Sequence, residues 1–116
     1  MKTDKLYFGA AYYDEYMPVS RVDEDMRMMK EAGMNVIRIA ESTWSTWEPR
    51  DGKYDFTSLQ RMLRGAKRYG SNVIVGTPTY AIPPWLARKY PDILADTHSG
   101  LSKYGHRQNM DITHPG

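Results

Sequence analysis

The 116-residue sequence contains no cysteine. Disulfides, a thiolate nucleophile and thiolate zinc ligands are therefore all excluded, and a reducing compartment suits the chain, so a cytoplasmic location is expected. An excess of either charge is also missing, because 16 basic and 14 acidic residues are interspersed and give a formal net charge of +2. Without a basic stripe or an aromatic-basic platform, no nucleic-acid partner is expected. Nowhere do 18 apolar residues run together, and the amino terminus MKTDKLYFGAAYYDEY has no signal-peptide pattern, so no membrane partner is expected either. The three histidines, His98, His106 and His114, are spaced eight apart, which fits no helix-face or zinc-finger pattern. They read as solvated loop residues, and neither a metal nor a cofactor is expected. What remains, 41% hydrophobic and 26% charged residues, is ordinary for one soluble globular domain.

The most informative stretch runs from Asn35 to Pro49, NVIRIAESTWSTWEP. Val36, Ile37 and Ile39 suit a strand buried on both faces, and Arg38 interrupts that run where a side chain should meet packed neighbours. A buried arginine needs partners, so Arg38 reads equally as one half of an ion pair with Glu41 or another acid and as a substrate contact. The loop that follows is rich in carboxylates, hydroxyls and indoles, and α/β proteins place ligand sites in such loops at the carboxyl ends of strands. Trp44 is a candidate sugar platform, Trp47 a core residue, Glu41 an acid behind the site, and Glu48 a cap or a surface charge.

Around that stretch the chain reads as repeated strand-loop-helix units. Leu6–Tyr13 is a first strand with Gly9 marking a close backbone approach. Ser20 is placed to cap a helix with Asp23 closing a capping box, and Val22, Met26, Met29 and Ala32 form its apolar face up to a left-handed cap at Gly33. A second helix begins near Asp55 or Thr57, with Phe56, Leu59, Met62, Leu63, Ala66 and Tyr69 as its stripe and Gly70 as its stop. A third strand, Asn72–Gly76, leads into a proline-rich loop, and Pro84 opens a short helix carrying Trp85, Leu86 and Tyr90. Gly33-Met34-Asn35-Val36-Ile37 recurs as Gly70-Ser71-Asn72-Val73-Ile74, 37 residues later. Such a repeat implies parallel strands with right-handed crossovers. Units of roughly 5–33, 34–70 and 71–116 follow, and from Pro91 to Gly116 the last is a long excursion with few aliphatic anchors. From the residues alone Arg107, in that excursion, reads as a solvated loop arginine.

Three such units suggest part of a (β/α)8 TIM barrel, which typically needs about 250 residues. A small open α/β sandwich is the alternative. At YYDEYMP, RIAESTWSTWEPRDGKYDF, GTPTYAIPPWL and GHRQNMD, four motifs in order across nearly the whole chain, the sequence resembles the amino-terminal part of the glycoside hydrolase family 42 β-galactosidases. The resemblance implies a (β/α)8 barrel, a homo-oligomer that is usually a trimer, and hydrolysis of terminal β-galactosides with retention. It also implies that the acid/base glutamate follows strand four and the nucleophile strand seven, so no catalytic residue is placed in this chain. Glu15, Glu41 and Glu48 are assigned neither role. By the family pattern Arg107 is expected to hydrogen-bond the galactose, and Arg38 to line the site floor. Two departures stand out. Relatives often read Tyr-Tyr-Pro-Glu where this chain has Asp14 in place of the proline, and the cysteine-bound zinc of some relatives has no ligands here. Because the family continues past His114-Pro115-Gly116 as a helix, the chain is expected to be one part of a longer enzyme and inactive alone. The competing expectation is a truncated, non-catalytic module for weak sugar binding or assembly.

Overall fold

The structure, a computed structural model, describes residues 4–97, 99–101, 104 and 110–115. In chain order its elements are β1 (Gly9–Ala11), α1 (Val22–Glu31), β2 (Val36–Ile39), α2 (Trp44–Trp47), α3 (Thr57–Arg68), β3 (Asn72–Val75), α4 (Pro84–Lys89), β4 (Asp96–Thr97) and β5 (Gly100–Leu101), with 3₁₀ turns at Asp14–Tyr16, Val19–Arg21 and Pro78–Tyr80. They fall into two compact units. One is drawn from the chain through Ala40 and from Phe56–Gly76, the other from Glu41–Asp55 and from Thr77 onward.

The first unit is a parallel sheet in the order β1-β2-β3, with Gly9 opposite Val36 and Val36 opposite Asn72. Its register is fixed by the repeated asparagine. Asn35 donates from Nδ2 to the Leu6 carbonyl at 2.9 Å and accepts from the Phe8 N–H at 2.8 Å, while Asn72 donates from Nδ2 to the Asn35 carbonyl at 3.0 Å. Each asparagine thus clips its own strand to the one before it at the entry, beside its own backbone N–H bond to that strand, Asn35 to the Phe8 carbonyl at 2.8 Å and Asn72 to the Asn35 carbonyl at 2.9 Å. Gly9 is required for the same pairing, because a Cβ there would sit 1.7 Å from the Val36 carbonyl oxygen. Only the centre of the expected first strand pairs.

Ile37 and Ile39 alternate onto one face of β2 and are both buried, as are Met26 on α1 and Met62 and Ala66 on α3. Each such large side chain contributes about 1.5–3 kcal/mol by leaving water. Arg38 corrects the sequence reading, since its side chain is exposed. It alternates onto the face opposite Ile37 and Ile39, so the packed layer that buries the isoleucines does not enclose it. The cap of α1 is a second correction. Pro18 starts a 3₁₀ turn that runs straight into the helix, so Ser20 lies inside that turn, Arg21 takes the cap position, and no side chain caps the helix. Asp23 instead accepts from Arg68 Nη1 at 2.6 Å and from the Tyr69 hydroxyl at 3.0 Å, tying α1 to the end of α3. Both helices end as expected in left-handed glycines, Gly33 at φ +83° and Gly70 at φ +68°.

The second unit packs around Ile82, Leu86, Ile93 and Leu94, with Trp44, Trp85, Tyr90 and Met110 against them. Pro84 opens α4 as expected. Among the described residues after Tyr90, β4 and β5 pair antiparallel and Leu94 bridges to Met110. His114 is half-buried against the Tyr90 ring with Nε2 3.4 Å from Asp92, so it is not simply solvated. His98 and His106 lie outside the described residues.

Candidate substrate-binding loops

The loops at the carboxyl ends of β1 and β2 hold most of the described candidate residues, and each is held by a different device. After β2 the backbone takes two positive φ values at non-glycine residues, Ala40 at +83° and Ser42 at +62°. Conformations of this kind cost on the order of 1–3 kcal/mol each and persist where a loop is over-determined, most often at functional positions. They turn the chain into the buried Thr43, whose carbonyl accepts from the Thr46 and Trp47 N–H groups and begins α2, a helical turn within the expected loop.

Within that loop Trp47 is buried, as expected. Glu48 is not a surface charge. It is only 7% exposed, and its two oxygens accept from the Trp44 indole at 2.7 Å and the Gly52 N–H at 2.9 Å. Its carbonyl accepts from the Trp85 indole at 2.7 Å. With both carboxylate oxygens committed, Glu48 clamps the Asp51-Gly52 turn and fixes the Trp44 ring, which is half-buried against the Leu86 cluster. The spacing of four between Trp44 and Glu48 was the available signal for this bond. Glu41 is half-buried at the start of the same loop. Arg107 lies outside the described residues.

After β1 the loop is held by acids. Asp14 is 4% exposed and accepts from Arg61 Nη2 at 2.6 Å across 47 positions. Its charge is thereby neutralised inside the first unit. The Tyr12 hydroxyl donates to Asp25 Oδ2 at 3.0 Å, and Arg21 holds the other oxygen of that carboxylate at 2.8 Å. Burial first, and the Asp25 hydrogen bond second, hold the Tyr12 hydroxyl well above its ordinary pKa. Glu15 beside it is raised by partial burial, with the Asp14 charge adding to the shift. No short-range pattern announced Arg61 as the partner of Asp14. Among the described residues no group of three His, Cys, Asp or Glu side chains could hold a metal ion, and no helix is long and apolar enough to cross a membrane.

Parallel strands alternating with helices, with strained or ion-paired loops after the strands, define a segment of a (β/α)8 barrel. The chain belongs to glycoside hydrolase family 42, whose family model, described as Beta-galactosidase, matches residues 11–116. It is 35% identical over 108 residues to the beta-galactosidase of Thermus thermophilus, covering 92% of this chain and 17% of that protein. With the beta-galactosidase of an Arthrobacter species it is 40% identical over 95 residues, which is 82% of this chain and 14% of that one. The crystal structure of the beta-galactosidase from Rahnella sp. R3 superposes with a TM-score of 0.89 at 32% identity, over 98% of this chain and 17% of that chain. The chain therefore spans about one-sixth of the relatives that it matches and is a partial TIM barrel comprising the first three βα units.

Proposed function

We propose that the protein carrying this chain is a retaining β-galactosidase that removes terminal non-reducing β-D-galactose, and that this segment supplies part of the galactose subsite. The family match across residues 11–116 carries the reading. Retention needs two carboxyl groups about 5 Å apart, one to protonate the leaving oxygen and one to attack the anomeric carbon. We place both beyond this chain. Arg107 and Arg38 would donate charge-assisted hydrogen bonds to sugar hydroxyls, Trp44 would offer a ring to an apolar pyranose face, and Glu41 would orient the loop. Self-association of the whole enzyme and a cytoplasmic site of action complete the proposal, the latter from the lack of cysteine.

The test is hydrolysis of a chromogenic β-galactoside by the intact protein, by its Arg107→Ala variant and by the 116-residue chain alone. The intact protein should turn over, the chain alone should not, and Arg107→Ala should lose roughly 1.5–3 kcal/mol of transition-state binding for each charge-assisted bond removed. Turnover by the chain alone would overturn the placement of the carboxylates, and unchanged kcat/KM would remove Arg107 from the subsite. An intact mass near 13.4 kDa together with no hydrolysis would favour the non-catalytic module.

A further inference from the structure

We propose that the groove between α1 and α3 is a binding site for a small ligand bearing phosphate or sulfate groups. The groove encloses about 460 Å³, within the range of small-molecule sites. Arg61, Arg64 and Arg68 follow one another along α3 at spacings of three and four, so they share one face of the helix, and all three line the cavity. Asp23 is the one carboxylate in that lining, which otherwise offers neutral hydrogen-bonding groups such as Ser20, Thr57 and Gln60. Two of the guanidinium groups are held in place by acids, Arg61 by Asp14 and Arg68 by Asp23, each at 2.6 Å. Arg64, between them, has no ionic or hydrogen-bonding partner among the described residues, and the buried Nε of Arg61 has no acceptor there.

Two anchored cations flanking an uncommitted one make a preorganised receptor for a tetrahedral oxyanion, because the planar guanidinium fork matches phosphate and sulfate oxygens in bidentate fashion. Gly65 helps to shape the floor. It lies in the lining, and a Cβ added there would already press on Met26 Cγ at 3.3 Å, so the helices approach closely at that point. A neutral sugar would leave the Arg64 charge unanswered, so the groove suits an anion better than another galactose.

Pyrophosphate is the probe. Titrated into the intact protein by calorimetry, with ionic strength held constant by sodium chloride, it should bind saturably and raise the melting temperature. Arg64→Gln should weaken binding by roughly tenfold or more through loss of a charge-assisted pair. Arg64→Lys, which keeps the charge but not the fork, should fall between, and Arg88→Gln on α4 should bind as the parent does. Circular dichroism of each variant separates lost binding from lost folding, and the exposed position of Arg64 favours retention of the fold. A response no larger than that to chloride at equal ionic strength, or undiminished binding by folded Arg64→Gln, would overturn the proposal. Neither result depends on galactosidase activity.

Discussion

The buried Asp14 and the half-buried Tyr12 of the β1 loop set much of what single substitutions should do. Asp14 is nearly inaccessible while Arg61 retains partial exposure, so breaking the pair leaves an uncompensated buried carboxylate in one direction and a partly solvated guanidinium in the other. Arg61→Ala should therefore cost on the order of 2–4 kcal/mol, and Asp14→Ala less, with a positive coupling energy in the double-mutant cycle measured by urea unfolding. Additive single costs would show that the pair is incidental. Tyr12 gives a pH prediction with a definite sign. Its folded pKa lies above the unfolded value of about 10, so above that pH the folded chain holds a proton that the unfolded chain releases. Its contribution is fully present below pH 10 or so and is lost as pH rises toward the folded pKa. Tyr12→Phe should flatten the alkaline loss of stability, and an unchanged alkaline slope would remove Tyr12 as its source. At this scale the sequence was readable where a residue answers to its neighbours. Trp47 follows the packing preference of its large indole into the core, but Asp14 finds Arg61 from 47 positions away. Arg38 was misjudged because an apolar run shows that a strand is packed without showing on how many faces.

Among the elements, the Gly-x-Asn-Val-Ile repeat was the most legible feature, and the structure explains why it recurs. The glycine ends a helix in the left-handed region, the asparagine fastens the next strand at its entry, and the aliphatic pair enters the sheet. Strand order and direction follow from that repetition. The limits of the elements were less legible, because Leu6–Tyr13 has strand composition throughout and yet pairs only over Gly9–Ala11. Similarly, a turn fed by Pro18 displaced Ser20 from the cap, a decision made by backbone geometry that side-chain preference does not record. The sharpest prediction for an element concerns Gly9. A methyl group 1.7 Å from the Val36 oxygen cannot be absorbed by a side-chain rotation, since the obstacle is backbone. Gly9→Ala should separate β1 from β2 and cost about 4 kcal/mol or more, among the larger single-residue effects. Gly65→Ala meets side chains and no backbone, pressing on Met26 Cγ at 3.3 Å with Val22 Cγ1 in ordinary contact at 3.6 Å, and gains helix propensity of up to about 1 kcal/mol, so it should be close to neutral. Thermal melts of both variants would decide, and comparable losses would show that close approach of the backbone is not the distinguishing factor.

For the whole molecule, the decisive property is an open sheet. β2 is paired on both sides, whereas β1 and β3 each have one partner among the described residues. Ile74 and Val75 on β3 remain 43% and 48% exposed. An unpaired strand edge with aliphatic side chains is a template for another chain, and proteins ordinarily cover or close it. The relatives are about six times longer than this segment, so in them further strands are available to cover such an edge. The same residues should then behave oppositely in two contexts. As an isolated 116-residue polypeptide the chain should self-associate with rising concentration, and Val75→Lys should shift it toward monomer by charging the exposed edge. In the intact protein Val75→Lys should instead destabilise, because a buried ammonium in a closed sheet costs several kcal/mol unless it is paired. Sedimentation velocity on the isolated chain and thermal melting of the intact protein read the two effects separately. A monomeric isolated chain would show that the open edge does not drive association, and an intact protein indifferent to Val75→Lys would mean that β3 is an edge strand in its native setting.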